Sequence, residues 1–178
     1  MSPKTDLVTQ FLHVISWIIF IGLCIKTGTL IFNFAFMQFH VFPVENLYLL
    51  LDLTKLFQQD EVIFGLLFSL AIGVSAMKAY TFYLITQIFS NLNLHKPFSE
   101  KISTLISKIS YYIFFVGILG ALSHRFSQGL AKRGYDVAAA GQFWNDYSAF
   151  LMMAAVVFVI AQIFKKGLEL QAENDLTV

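Results

Sequence analysis

The sequence predicts an all-α integral membrane protein with four transmembrane helices and both termini cytoplasmic. Three observations carry that prediction. First, 57% of the 178 residues are hydrophobic and only 13% are charged. A soluble domain carries roughly 25% charged residues, so too few remain here to cover a water-facing surface; the mean hydropathy of +0.70 agrees. Second, four apolar tracts recur along the chain, at about residues 11–34, 62–89, 109–124 and 144–164. A helix needs about 20 apolar residues to cross a hydrocarbon core about 30 Å thick. Third, Lys96, Lys101 and Lys108 precede the third tract, and Lys165 and Lys166 close the fourth. The positive-inside rule places both groups in the cytoplasm. Residues 1–178 then form a single membrane domain, with a cytoplasmic tail over 165–178.

The first tract is longer than the apolar region of about 7–15 residues in a signal peptide, so it reads as a permanent span. Lys26 is its only charge, and Lys78 is the only charge in the second tract. No Asp or Glu is read inside a span to pair with either. Each ammonium is therefore expected to snorkel along its stem, Lys26 outward and Lys78 inward. A shared buried site would set two like charges together without a counter-ion.

Residues 37–61 form the longer outer connection. Pro43 breaks a helix entering it. Leu47, Leu50, Leu51, Thr54, Leu56 and Phe57 then give one apolar side opposite Asp52 and Lys55, the pattern of an outer interfacial helix. In the second span, Gly65, Ser69, Gly73 and Ala76 recur at helical spacing, and in the third Gly117 and Ala121 form a small-xxx-small pair. Small residues at such spacing let another helix backbone come close.

Between spans two and three, Asn91, Asn93 and Pro97 mark a break. Ser99 followed by Glu100 suits a helix start. Ile102, Leu105, Ile106, Ile109 and Ile113 recur at helical spacing, so an amphipathic cytoplasmic helix should lead into span three. It serves either as a docking platform or as an ordinary interfacial helix. Residues 127–141 are rich in small residues and, with Arg125, as basic as an inner loop. Orientation therefore rests on the second loop, on Lys165 and Lys166, and on the even number of spans. Trp144 and Tyr147 suit an outer aromatic belt, and Gly167 is expected to interrupt the last helix just below the membrane.

Chemistry is harder to find. His13, His40, His95 and His124 are scattered, whereas a metal site needs clustered ligands. Cys24 is the only cysteine. No phosphate loop, zincin, nucleophile elbow or Cys-x-x-Cys pattern occurs. No acid, base and nucleophile are offered in one place, so the expectation is a protein that is not an enzyme and holds no cofactor. A net charge of +1 gives no electrostatic case for direct nucleic-acid binding.

The ending over 158–178, from Ala161 through Lys165, Lys166 and Gly167, resembles that of a bacterial membrane-protein family known as domain of unknown function 2975. Lys96, Pro97, Phe98 and Ser99 resemble that family's inner loop. The resemblance implies a multi-pass protein of the bacterial cytoplasmic membrane. Such proteins are often predicted beside a small helix-turn-helix regulator, which implies a membrane regulator that holds or senses a DNA-binding partner. It brings no catalytic residues.

The candidate docking residues are Lys96, Lys101 and Lys108 on the inner loop and Glu169, Glu173 and Asp175 on the tail. An acidic tail suits the basic surface of a DNA-binding protein, and the lysines suit anionic membrane lipid. A solvated helical extension ending at Asn174 and Asp175 accounts for the same tail. Two further readings stay open. One is a structural or assembly subunit of a larger membrane complex, packing through the small-residue sides of spans two and three. The other is a binder of lipid or another hydrophobic ligand in a groove among the helices.

Overall fold

The computed structural model describes residues 3–39, 51–92 and 98–175, and among these no β-strand occurs. The helices are α1 (Pro3–Gln38), α2 (Thr54–Gln59), α3 (Glu61–Asn91), α4 (Glu100–Lys132), α5 (Ala138–Phe143) and α6 (Tyr147–Asp175). Four stretches are long and apolar enough to cross a membrane: Leu7–Gln38, Glu61–Asn91, Glu100–Lys132 and Ala138–Glu173.

Local chemistry sets where two of the long helices begin. Asp60 Oδ1 accepts from the amides of Val62 and Ile63, each at 3.0 Å, and so caps α3. Ser99 Oγ accepts from Ile102 N at 3.3 Å and caps α4. Each cap satisfies amides that no helical carbonyl can reach. Glu61 and Glu100 sit in the first turns, where a negative charge suits the helix dipole. Just beyond α4, Gly134 takes the left-handed conformation at φ 89° and turns the chain.

The long helices pack in a row: α1 on α3, α3 on α4 and α4 on α6. Each pair is antiparallel. Phe34 stacks on Phe68 with centroids 5.6 Å apart, while His13 lies beside Phe89. Tyr80 meets Tyr112 edge-on at 4.8 Å. The start of α1 and the end of α6 therefore lie at the same end of the helix axes. The larger core lies toward the other end, where Leu30, Leu56, Phe64, Phe68, Val116 and Trp144 are all buried. Smaller clusters continue toward the termini through Leu84, Ile109 and Ile113, then Ile102, Ile106 and Ala161.

Several expectations change. The third span, expected over about 109–124, is one part of the 33-residue α4. The leading helix, the span and the start of the outer loop are continuous, because a single buried seam runs from Ile102 through Ile109, Val116 and Ser123 to Leu130. Of the expected outer interfacial helix, the described part holds the six-residue α2, with Leu56 fully buried and Leu51 and Leu53 just before it nearly so. These side chains join the protein's own core. Leu47 and Leu50 lie outside the described residues. Trp144, expected in a lipid-facing belt, is only 1% exposed; the turn before α6 folds its ring into that core. Gly167 does not interrupt α6, which continues to Asp175.

The small-residue expectation divides. Among the described residues, Gly65, Ser69, Gly73 and Ala76 form no close helix–helix contact: Ser69, Gly73 and Ala76 are exposed, and a Cβ at Gly65 or Gly73 would meet nothing within 4 Å. Gly117 sits at the α4–α6 seam, where an added Cβ would lie 2.7 Å from Leu151 Cδ2. Its companion there is Gly120, whose Cβ would lie 2.9 Å from Tyr147 Cβ. Ala121 is half-buried one position further on.

Gln59 ties α2 to the turn after α4. Its Oε1 accepts from Asp136 N at 2.9 Å, and its Nε2 donates to the Gly134 carbonyl at 3.4 Å. Lys55 and Asp136 add an ion pair at 3.3 Å, but both side chains are exposed, so it contributes little. Gln59→Ala is expected to cost about 1 kcal/mol. Hydrogen exchange would show it as faster exchange at the Asp136 amide, with the α3 interior unchanged.

Candidate functional site

Two groupings of polar side chains stand out, one where α4 starts and α6 ends, the other around Lys78 and Asp146. At the end carrying the termini, the start of α4 meets the last turns of α6. Phe98 lies over the bare face of Gly167, where a Cβ would be 2.6 Å from the Phe98 ring, and it packs on Phe164 at a centroid distance of 5.2 Å. The missing side chain at Gly167 thus makes room for the Phe98 ring. Lys101 Nζ donates to Asn91 Oδ1 at 2.5 Å, joining the end of α3 to the start of α4.

Past the apolar part of α6, Lys166 Nζ donates to Glu169 Oε2 at 3.0 Å. That hydrogen bond, with the Glu169 charge, holds the ammonium above its usual pKa. Lys101, Lys108, Glu169 and Glu173 are exposed. Lys108 stands slightly apart, beside a shallow hollow lined with Tyr111, Tyr112 and Phe115. Lys96 and the side chain of Asp175 lie outside the described residues.

The second grouping joins α3 to the turn before α6. Lys78 does not snorkel toward the termini; its Nζ donates to Asp146 Oδ2 at 2.7 Å. The Lys78 side chain is only 13% exposed, against 51% for Asp146. The same ammonium lies 4.4 Å from the centroid of Phe150. Lys26 Nζ lies 5.0 Å from the centroid of Phe143. The expectation that no carboxylate pairs with Lys78 is thereby overturned. Asp146 stands in the turn before α6, and packing of Tyr147 at Gly120 sets that turn one helical turn from His124 and Arg125. A sequence signal was present: Asp146 is the one acidic residue in the apolar run 144–164.

Both groupings sit within, or in contact with, a region that one comparison recognises. A family model described as protein of unknown function, DUF2975, matches residues 48–178. The chain belongs to that family. Neither a curated protein nor a solved structure matches it. The DUF2975 match takes in α2 to α6, and so Lys78, Asp146, Phe98 and Gly167. It leaves out α1 and Lys26. The match gives the chain a family and assigns none of these side chains a role.

Among the described residues, no three His, Cys, Asp or Glu side chains group as metal ligands. His13 accepts from Trp17 Nε1 at 3.0 Å and lies 3.3 Å from Ser90 Oγ. This contact ties α1 to α3 at the end carrying the termini.

Proposed function

We propose that this DUF2975 protein is a non-catalytic regulatory or interaction protein of the bacterial cytoplasmic membrane. Both termini face the cytoplasm in this reading. The docking surface is the start of α4 together with the helical tail of α6, and the partner is a small basic DNA-binding regulator. One observation supports the reading above the others: Phe98 seated on Gly167 brings two segments far apart in sequence onto one surface. Glu169 and Glu173 project from the tail, and a basic partner surface complements them. Lys101 and Lys108 flank the same end, where cytoplasmic anionic lipid attracts ammonium groups.

The test is an affinity pull-down in mild detergent, with the tag inserted at residues 132–134 so that the tail stays free. A small DNA-binding protein is expected with the wild type. Glu169→Lys with Glu173→Lys is expected to reduce its recovery about tenfold, equivalent to about 1.4 kcal/mol. Truncation after Gly167, which leaves the Phe98 contact in place, should abolish it. Unchanged recovery in both variants sinks the reading. A second reading, a subunit of a larger membrane complex, is favoured by the exposed side of α3 at Ser69, Gly73 and Ala76. Capture of integral membrane subunits alone would select it.

A further inference from the structure

Four of the seven tyrosines gather at one level of α3 and α4. The Tyr80 ring lies 6.0 Å from Tyr83 and 4.8 Å from Tyr112, centroid to centroid, and Tyr111, next in the chain to Tyr112, is exposed. Phe20 links Tyr83 to Trp17, at 5.8 Å and 5.6 Å. Tyr and Trp concentrate where hydrocarbon gives way to headgroups. The exposed side chains change character at the same level. Along α4 they run Leu122, Ile118, Phe115, Phe114 and Tyr111, then Lys108, Thr104, Lys101 and Glu100. On α3, the only exposed residue after Tyr83 is Ser90. The outer helices stay apolar further toward that end, with Phe11 on α1 and Ile163 on α6 both exposed. The polar edge therefore dips inward at α3 and α4, and Lys108 stands in the dip. It makes none of the ion pairs found among the described residues.

On the apolar side of Lys108, α4 carries a ridge between two hollows. Tyr111 and Phe115, one helical turn apart, line both. One hollow, of about 290 Å³, is completed by Lys108 and Tyr112. The other, of about 590 Å³, lies toward α6 and is completed by Phe114, Leu151 and Phe158. Ser110 Oγ at its wall already donates to the Ala154 carbonyl at 3.3 Å, so this hollow offers a ligand mostly apolar surface.

We infer that Lys108 and the Tyr111–Phe115 ridge seat one diacyl anionic phospholipid. Lys108 takes the phosphate, and one acyl chain runs along each side of the ridge. One cation at the polar lip with two apolar hollows leading away from it matches one anionic headgroup carrying two chains. A dissolved anion would leave both hollows unfilled, and a single-chain amphiphile would leave one. The inference rests on the membrane reading of the chain and not on the regulator. Glu169 and Glu173 take no part in it, so its failure and that of the docking surface are read separately.

Native mass spectrometry of the delipidated full chain tests it, by titration with dioleoyl phosphatidylglycerol, its single-chain lyso form, dioleoyl phosphatidylcholine or inorganic phosphate. The diacyl glycerol lipid is expected to bind about fivefold more tightly than the choline lipid, as one lysine at a membrane surface provides. It is also expected to bind about tenfold more tightly than the lyso form, which fills one hollow. Lys108→Gln should erase the headgroup preference, Lys108→Arg should keep it, and Lys132→Gln, at the far end of α4, should leave it unchanged. An unchanged preference in Lys108→Gln, or an equal loss in Lys132→Gln, overturns the assignment. Equal binding of the lyso form overturns the two-chain seat. If inorganic phosphate at equal concentration displaces the lipid, the site reads a free anion and the lipid source is wrong.

Discussion

Gly117→Leu is expected to destabilise the protein by about 3 kcal/mol, the upper range for forcing a large side chain into a closed contact. The cause is local. A Cβ at this position would lie 2.7 Å from Leu151 Cδ2 and 3.1 Å from the Leu151 backbone nitrogen. Rotating the Leu151 side chain clears the first clash and leaves the second, so α4 and α6 must move apart. Gly120, one turn away, already bears directly on Tyr147, and the seam cannot tilt to compensate. Thermal unfolding in detergent would read the change as a fall of about 10 °C. Gly73→Leu is the control. A Cβ there meets nothing within 4 Å, and leucine is the better helix former by about 0.8 kcal/mol. The isolated protein should keep or slightly raise its unfolding temperature. If Gly73→Leu instead proves the more damaging, α3 has a partner helix outside this chain.

Asp146→Ala is the second large effect. It strands the Lys78 ammonium, whose side chain is 13% exposed, without its only ion-pair partner among the described residues. Breaking a buried pair by removing one member costs about 3–5 kcal/mol. Asp146 is 51% exposed, which places the expected loss near the low end, at about 3 kcal/mol. The decisive variant is the double one. Lys78→Met with Asp146→Ala removes both charges, keeps an apolar stem against Phe150, and should recover most of the loss. A double-mutant cycle on detergent unfolding measures this coupling. Additive losses would mean that the two side chains are neighbours without energetic dependence, and that Lys78 finds water or lipid phosphate instead. The pair also holds the start of α6 against α3, so Asp146→Ala should speed hydrogen exchange in the first turn of α6.

Much of the architecture was legible from the chain because it depends on sums over many residues. Twenty consecutive apolar residues must leave water whatever their order, so four long helices followed from tract length and the shortage of charge. Helix starts were legible where one side chain decides them: Ser99 caps α4 because its hydroxyl is three residues from the amide it serves. The family resemblance was legible in the tail, and the DUF2975 match covers 48–178.

What escaped was pairing across space. Glycines 65, 73 and 117 look alike in sequence, yet only Gly117 meets another helix of this chain. Whether a bare helix face is filled depends on which helix lies beside it, and that is set by the order of the row. On an isolated helix, Lys78 would reach for the nearer polar edge. Its actual partner lies 68 positions along the chain, in a turn that only the seating of Tyr147 at Gly120 brings within reach. Residue type alone suits Trp144 to a lipid belt, whereas the fold of the turn before α6 buries it. The sequence by itself determined the solvent of this protein, the number of its spans and its family. The tertiary structure decided which charges meet, which glycines are contacts and which aromatic rings are core, because those are distances between helices and no local pattern carries them.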